Sequence, residues 1–239
     1  MEGFNYYNIF DTKGIEYIAI IAFFIILIPF WIILNKSEEI KNKIKEVFSI
    51  LTFDTLKIPQ GIFYSKNHTW AYLEKSGDAS VGIDDFLIHS TGDVKLHILK
   101  NSNDLISKGD LITEIIKDDK ILKIFSPISG KIVKSNVQLD NEPTLLNIDP
   151  YGKGWIYKIK PSKWIDETQT LFLAEDATNW SKSEMQRFKD FMALSTKKYS
   201  NENNLAILQD GGELVDHPLS ELSRNVWLDF QENFLKPKD

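Results

Sequence analysis

A mainly β module, preceded by one N-terminal transmembrane helix and followed by an α-rich C-terminal extension, is the fold class this sequence predicts. Three observations predict it. Residues 17–34 form an apolar run without a charge. From Ile62 to Trp164, short apolar–polar alternations are separated by glycine, proline and aspartate turns, the pattern of a small sandwich or barrel. Beyond Trp164, apolar residues recur at three and four, the helical period.

Composition narrows the functions open to such a chain. Hydrophobic residues make up 43% of the 239, enough to build a packed core. The net charge of −6 leaves no concentrated basic face for phosphate, so nucleic acid is not an expected partner. With no cysteine, the chain has no disulfide, thiolate metal site or cysteine nucleophile.

Residues 1–16 are expected to be a short extracytoplasmic tail and residues 17–34 a transmembrane helix. At 1.5 Å per residue, about 18 residues reach about 27 Å, close to the roughly 30 Å of bilayer hydrocarbon. Tyr17 and Trp31 stand near the ends, where amphipathic rings favour the interface. A cleaved signal peptide would have a basic start and a small-residue cleavage site, whereas Glu2, Asp11 and Glu16 precede this run. Lys13 alone lies before it, and Lys36, Lys41, Lys43 and Lys45 follow, which orients a single-pass protein of the cell (inner) membrane with its C-terminal bulk in the cytoplasm. Residues 35–61 read as an amphipathic linker, helical over 38–51, where Ile40, Ile44, Val47, Phe48 and Leu51 make one stripe. Such a stripe packs on the following domain or lies on a surface or partner. Lys57 to Gly61, with Pro59 inside, marks the boundary.

In the β domain, 62–164, Thr69–Leu73 and Ala79–Ile83 read as a hairpin around Lys75–Asp78. Asp84 to Ser90 is a short helix ending at Gly92. Val94–Leu99, Leu111–Ile116, Ile121–Phe125, Lys131–Ser135 and Trp155–Ile159 are further strands, with Lys117-Asp118-Asp119-Lys120 a polar tip. Residues 165–239 form the helical extension with a short hairpin. Ser181 and Glu184 have the spacing of a capping box, and Met185, Phe188, Phe191 and Met192 follow at helical intervals. Leu205–Leu208 and Leu214-Val215 are strand-like around a Gly211-Gly212 turn. Ser220 caps a last helix carrying Leu222, Val226, Phe230 and Phe234 on one face. These stripes pack against the β module, or offer a docking surface, or both.

Chemistry-bearing constellations are sparse. His89 and His97 have no recognised ligand spacing, so no metal site is expected. Asp84-Asp85 suits a helix start better than paired acid–base work. No nucleophile–base set is visible, and the chain is not expected to be an enzyme; no catalytic residue is assigned.

Several segments, in order, resemble the H protein of the glycine cleavage system. They are Tyr64 to Trp70 with His68 and Trp70, then Val81 to Phe86, Gly92-Asp93-Val94, and the turn Ser126-Pro127-Ile128-Ser129-Gly130. Asn136, Leu139, Pro143 and Leu145 follow, and then Asn147 to Trp155, which contains Asp149, Pro150, Tyr151, Gly152, Gly154 and Trp155. The resemblance implies an H-protein-like barrel-sandwich hybrid of two small sheets, with a lipoyl-bearing lysine at a hairpin tip. That family places the lysine seven residues before the serine of its Ser-Pro turn, and the matching residue here is Asp119. Lys120 stands one place late and Lys117 two places early. A one-residue slip turns a strand side chain to the other face, and a carboxylate cannot form the amide. No cofactor is therefore expected, and the chain reads as a non-enzymatic scaffold or interaction subunit of a membrane-bound complex. Its partners would be other membrane-complex protein subunits, with membrane lipid around residues 17–34. The alternative is a membrane-tethered lipoyl carrier, with lipoate on Lys120 or Lys117.

Overall fold

The computed structural model describes residues 17, 18, 20–31, 50–199 and 214–237. The chain divides into two compact units, Met1–Ser49 and Ile50–Asp239. In the first, residues 17, 18 and 20–31 are helical (α1), and their side chains are exposed. The expected tail 1–16, the last residues of the expected span 17–34, and most of the expected linker helix lie outside the described residues. Among the described residues, no helix is long and apolar enough to cross a membrane.

The second unit is rich in β-sheet, with helical parts. Its strands are β1 (Ile50–Leu51), β2 (Phe63–Tyr64), β3 (Thr69–Leu73), β4 (Ala79–Ile83), β5 (Lys95–Ile98) and β6 (Leu105–Ile106). They continue with β7 (Leu111–Lys117), β8 (Lys120–Phe125), β9 (Gly130–Ser135), β10 (Tyr157–Pro161) and β11 (Leu214–Val215). Its helices are α2 (Asp85–Thr91), α3 (Gln138–Asn141), α4 (Leu145–Ile148), α5 (Trp164–Thr168), α6 (Ala174–Lys198) and α7 (Arg224–Phe230). The strands make a six-stranded sheet in the order β2-β3-β4-β10-β9-β6, a three-stranded sheet β5-β7-β8, and the pair β1-β11.

Local chemistry explains the punctuation. Gly77, at φ +87°, closes the β3–β4 hairpin, and Gly92, at φ +73°, ends α2 after Asp84 has capped its start by accepting from Leu87 N. Central β4 is buried along its whole length, while β8 alternates, with Leu122 and Ile124 inside and Ile121 and Lys123 outside. The Tyr157 hydroxyl ties the sheets by donating to Ile112 O at 2.8 Å. Val81, Ile83, Ile112, Leu122, Ile132 and Ile159 share one core with Phe188, Met192, Trp227 and Phe230 of the extension. Burial of each such side chain contributes about 1.5–3 kcal/mol, so the extension is part of the domain's core.

The structure corrects three expectations. Ile50 and Leu51 are not the end of a helix over 38–51 in the 35–61 linker; they pair with Val215 and Leu214, because a partner strand decides the state of a short apolar run. Ser181 does not start a helix: α6 begins at Ala174, and both Ser181 and Glu184 are buried along its inner face. The last helix begins after Ser223 rather than at Ser220, and a π-helical turn, Gln231–Leu235, extends it. Leu222, Val226, Phe230 and Phe234 are all buried, as one apolar face requires. The expected strand 205–208 lies outside the described residues, and Leu214–Val215 pairs with β1.

Candidate functional site

Strands β7 and β8 form a hairpin in which Lys117 faces Lys120, leaving Asp118 and Asp119 as a two-residue turn. Asp118 sits at φ +53°, a left-handed position that aspartate tolerates better than most residues. Both carboxylates are exposed. Two-residue alternation then decides the fate of the neighbouring amine. Lys120 shares the inner face of β8 with Leu122 and Ile124, and is only 7% exposed. Its Nζ donates to Ser220 O at 2.7 Å and Leu222 O at 3.3 Å, and lies 5.3 Å from the centre of the Trp227 ring. Lys117 Nζ donates to Thr91 O at 3.2 Å, at the end of α2. Three places beyond Lys120 on β8, Lys123 N donates to Gln231 Oε1 at 2.6 Å, while Gln231 Nε2 donates to Lys123 O at 3.2 Å.

The other residues singled out in the sequence gather elsewhere and build structure. Trp70 is fully buried and donates from Nε1 to Ile83 O at 2.9 Å. A Cβ on Gly82 would stand 2.7 Å from the Trp70 ring, so only glycine admits that indole. The Tyr151 hydroxyl donates to Lys57 O at 2.8 Å and accepts from Asp85 N at 3.0 Å. Asp149 folds the turn after Pro150 by accepting from Gly152 N and Lys153 N, and Gly154 N donates back to Asp149 O. Trp155 lies beneath Lys158 Nζ at 5.3 Å. Gly92 leaves room for His217, whose ring would stand 2.9 Å from a Cβ there, and Asp93 accepts from Asn147 Nδ2 at 2.5 Å. Pro127 lies in the turn that Ser126 closes by donating to Ile128 O, and Gly130 follows where a Cβ would strike Lys160 O. None of these residues joins the hairpin apex.

His68 is the electrostatic centre of this second region. It is wholly buried, stacked on Phe86 at 4.4 Å, and bonded through Nδ1 to Asp84 Oδ2 at 2.8 Å and through Nε2 to Glu184 Oε1 at 3.1 Å. Glu184 is held in turn by Arg187, from Nε at 3.0 Å and from Nη2. Burial alone lowers the imidazole pKa, but Asp84 and Glu184 outweigh it and raise it to about 9. Burial raises the Glu184 carboxyl, but His68 and Arg187 outweigh it and hold it at about 2. His89 is a second such bridge: it bonds Asp216 at 2.7 Å and Asp85 at 3.5 Å, which together overcome its desolvation and raise it to about 9. One bridge joins the extension to the β2–β3 turn and the cap of α2, and the other joins it to α2 itself.

A pH dependence follows. Each histidine binds its proton more tightly when folded, so the stability it contributes is complete below the ordinary value of 6.5 and is lost as pH rises through about 9. Glu184 acts in the other direction: its contribution is complete above 4.5 and is lost as pH falls through about 2. Thermal unfolding scans should therefore place the highest Tm between the two ordinary values, 4.5 and 6.5, with a fall between 6.5 and 9. A Tm unchanged over that alkaline interval would contradict the bridges.

Sequence reasoning named the hairpin and His68, gave Glu184 a capping role instead of its bond to His68, and missed Asp216, Trp227 and Gln231. The residues they meet across the fold, His68, His89, Lys120 and Lys123, lie more than 100 residues away along the chain, and no local pattern marks them. Among the described residues, no group of three or more histidine or acidic side chains is placed to hold a metal ion.

Residues 62–184 match the family model described as glycine cleavage H-protein. A probable glycine cleavage system H protein of Pyrococcus horikoshii is 33% identical over 127 residues, which is 53% of this chain and 94% of that one. The one from Thermococcus gammatolerans is 35% identical over 119 residues, 50% of this chain and 88% of that one. Among solved structures, a glycine cleavage system H protein from Mycobacterium marinum aligns at 26% identity with a TM-score of 0.41, covering 44% of this chain and 87% of that one. Ser220, Leu222, Trp227 and Gln231, the residues that meet the hairpin, lie beyond the matched segment.

Proposed function

Because this chain belongs to the glycine cleavage H-protein family, we propose that it uses its H-protein domain, without lipoate, as a non-enzymatic interaction subunit of a membrane-bound complex. One observation carries the reading. At the hairpin apex, where the family resemblance puts the carrier lysine, Asp118 and Asp119 present carboxylates, and the adjacent amine of Lys120 is buried. Lipoylation joins an amine nitrogen to the lipoate carboxyl carbon, so the acceptor must be an accessible amine. Asp119 has none, and Lys120 Nζ is engaged by two carbonyl oxygens.

The membrane part of the proposal rests on residues 17–34, an uncharged run whose described helical residues expose apolar side chains that a bilayer would cover. The lysines after the run support a cytoplasmic side for the H-protein domain. Tethering confines the domain near other membrane subunits and raises their effective concentration without any new contact.

The test is purification from the protein's own host membranes in mild detergent, followed by intact-mass measurement and identification of co-purifying subunits. The expected result is an unmodified mass together with reproducible membrane partners. A lipoyl adduct on Lys117 or Lys120 would establish the carrier reading instead, and recovery of the free monomer alone would remove the scaffold role.

A further inference from the structure

We infer that the segment Leu214–Leu235 closes the carrier hairpin in cis, occupying the outer edge of β8 and withholding Lys120 from acylation. The inference deepens the proposal of a silent hairpin and rests on that reading. β8 is the last strand of the β5-β7-β8 sheet, and an open strand edge is a ready template for another chain. Here the Gln231 side-chain amide bonds both the N–H and the C=O of Lys123, as a residue of a neighbouring strand would. Three residues earlier on the same strand, the carbonyls of Ser220 and Leu222 hold Lys120 Nζ while the Trp227 ring covers it. Trp227 is itself fixed by donating from Nε1 to Leu219 O at 2.7 Å. Edge, amine and flank are thus met by one continuous stretch of the extension. The histidine bridge from His89 to Asp216 fastens the start of that stretch to α2.

A ligase or acyl donor would have to displace this segment to reach Lys120, whereas the apex at Asp118 and Asp119 remains open. Reactivity therefore reports the closure directly. An N-hydroxysuccinimide acetate ester transfers its acetyl group to a lysine: the N–C bond forms, the ester C–O bond breaks, N-hydroxysuccinimide leaves, and the amine proton passes to water.

Full-length recombinant protein is labelled with this ester for increasing times, and peptides are quantified by mass spectrometry. Lys120 should react about tenfold or more slowly than exposed Lys75, since labelling must wait for local opening. Gln231→Ala, which removes the edge contact at a half-buried site, should speed Lys120 by about threefold or more without speeding Lys75. In Asp119→Lys, the new apex lysine should react at the rate of Lys75 while Lys120 stays slow. Equal rates for Lys120 and Lys75 in the folded wild type would overturn the closure, as would an unchanged Lys120 rate in Gln231→Ala. The two readings fail separately. A fast Lys120 in unmodified protein ends the closure but leaves an apex without an amine, whereas a lipoyl group on Lys117 in host protein ends the silent reading and leaves Lys120 closed.

Discussion

Trp227→Ala is expected to destabilise the folded domain by about 3–5 kcal/mol, the range for removing a large aromatic from a close-packed core. Trp227 is 1% exposed and belongs to the same buried cluster as Leu122 and Ile124 of the hairpin. Truncation leaves a cavity beneath Lys120, removes the ring 5.3 Å from its Nζ, and strips Leu219 O of the indole donor. Trp227→Phe keeps most of the packing and loses the donor, while Leu219 O still accepts from Leu222 N at 3.2 Å, so its cost should fall to about 1 kcal/mol, the net worth of one hydrogen bond. Denaturant unfolding of the full chain measures both. A loss under about 1 kcal/mol for Trp227→Ala would mean that the extension is an appendage rather than part of the core.

The β module was legible in the sequence because its signals are local. Thr69–Leu73 and Ala79–Ile83 alternate around a glycine turn, and the structure pairs them in that register. Asp84 and Gly92 bound α2 through cap chemistry that needs no distant partner. The hairpin was equally visible as a polar tip over Lys117 to Lys120, and the structure turns the chain at Asp118 and Asp119 but buries Lys120. What receives Lys120 was not visible, because the carbonyls of Ser220 and Leu222 belong to the backbone and carry no residue signature. The misread helix starts have a similar cause. Ser181 and Glu184 have capping-box spacing, yet tertiary contact selects their role: Ser181 lies inside α6, and Glu184 turns toward His68, which comes from a loop 116 residues earlier. Ile50–Leu51 became a strand only because β11 arrives beside it. Periodicity identifies a face, and the element that meets it must come from the fold.

Glu184→Ala is expected to cost about 3 kcal/mol, the low end of the range for breaking a buried ion pair by removing one partner. The carboxylate is only 7% exposed and receives His68 Nε2 on one oxygen while Arg187 approaches both. Its removal leaves the imidazole with Asp84 alone, inside walls made by Phe86, Trp180 and Phe234. Two reliefs keep the loss from growing. The Arg187 side chain is 42% exposed and can rehydrate, and His68 can release its proton once half of its stabilising charge is gone. The second relief supplies a signature that packing loss would not mimic: the alkaline fall in Tm should shrink in Glu184→Ala, because His68 then titrates nearer its ordinary value of 6.5. Glu184→Gln retains an acceptor for Nε2 and removes the charge, so its stability should lie between the two proteins while its pH profile follows the alanine variant. If Glu184→Ala lowers stability but leaves the alkaline slope of the wild type intact, the His68 bridge does not hold α6, and the slope belongs to His89 and Asp216.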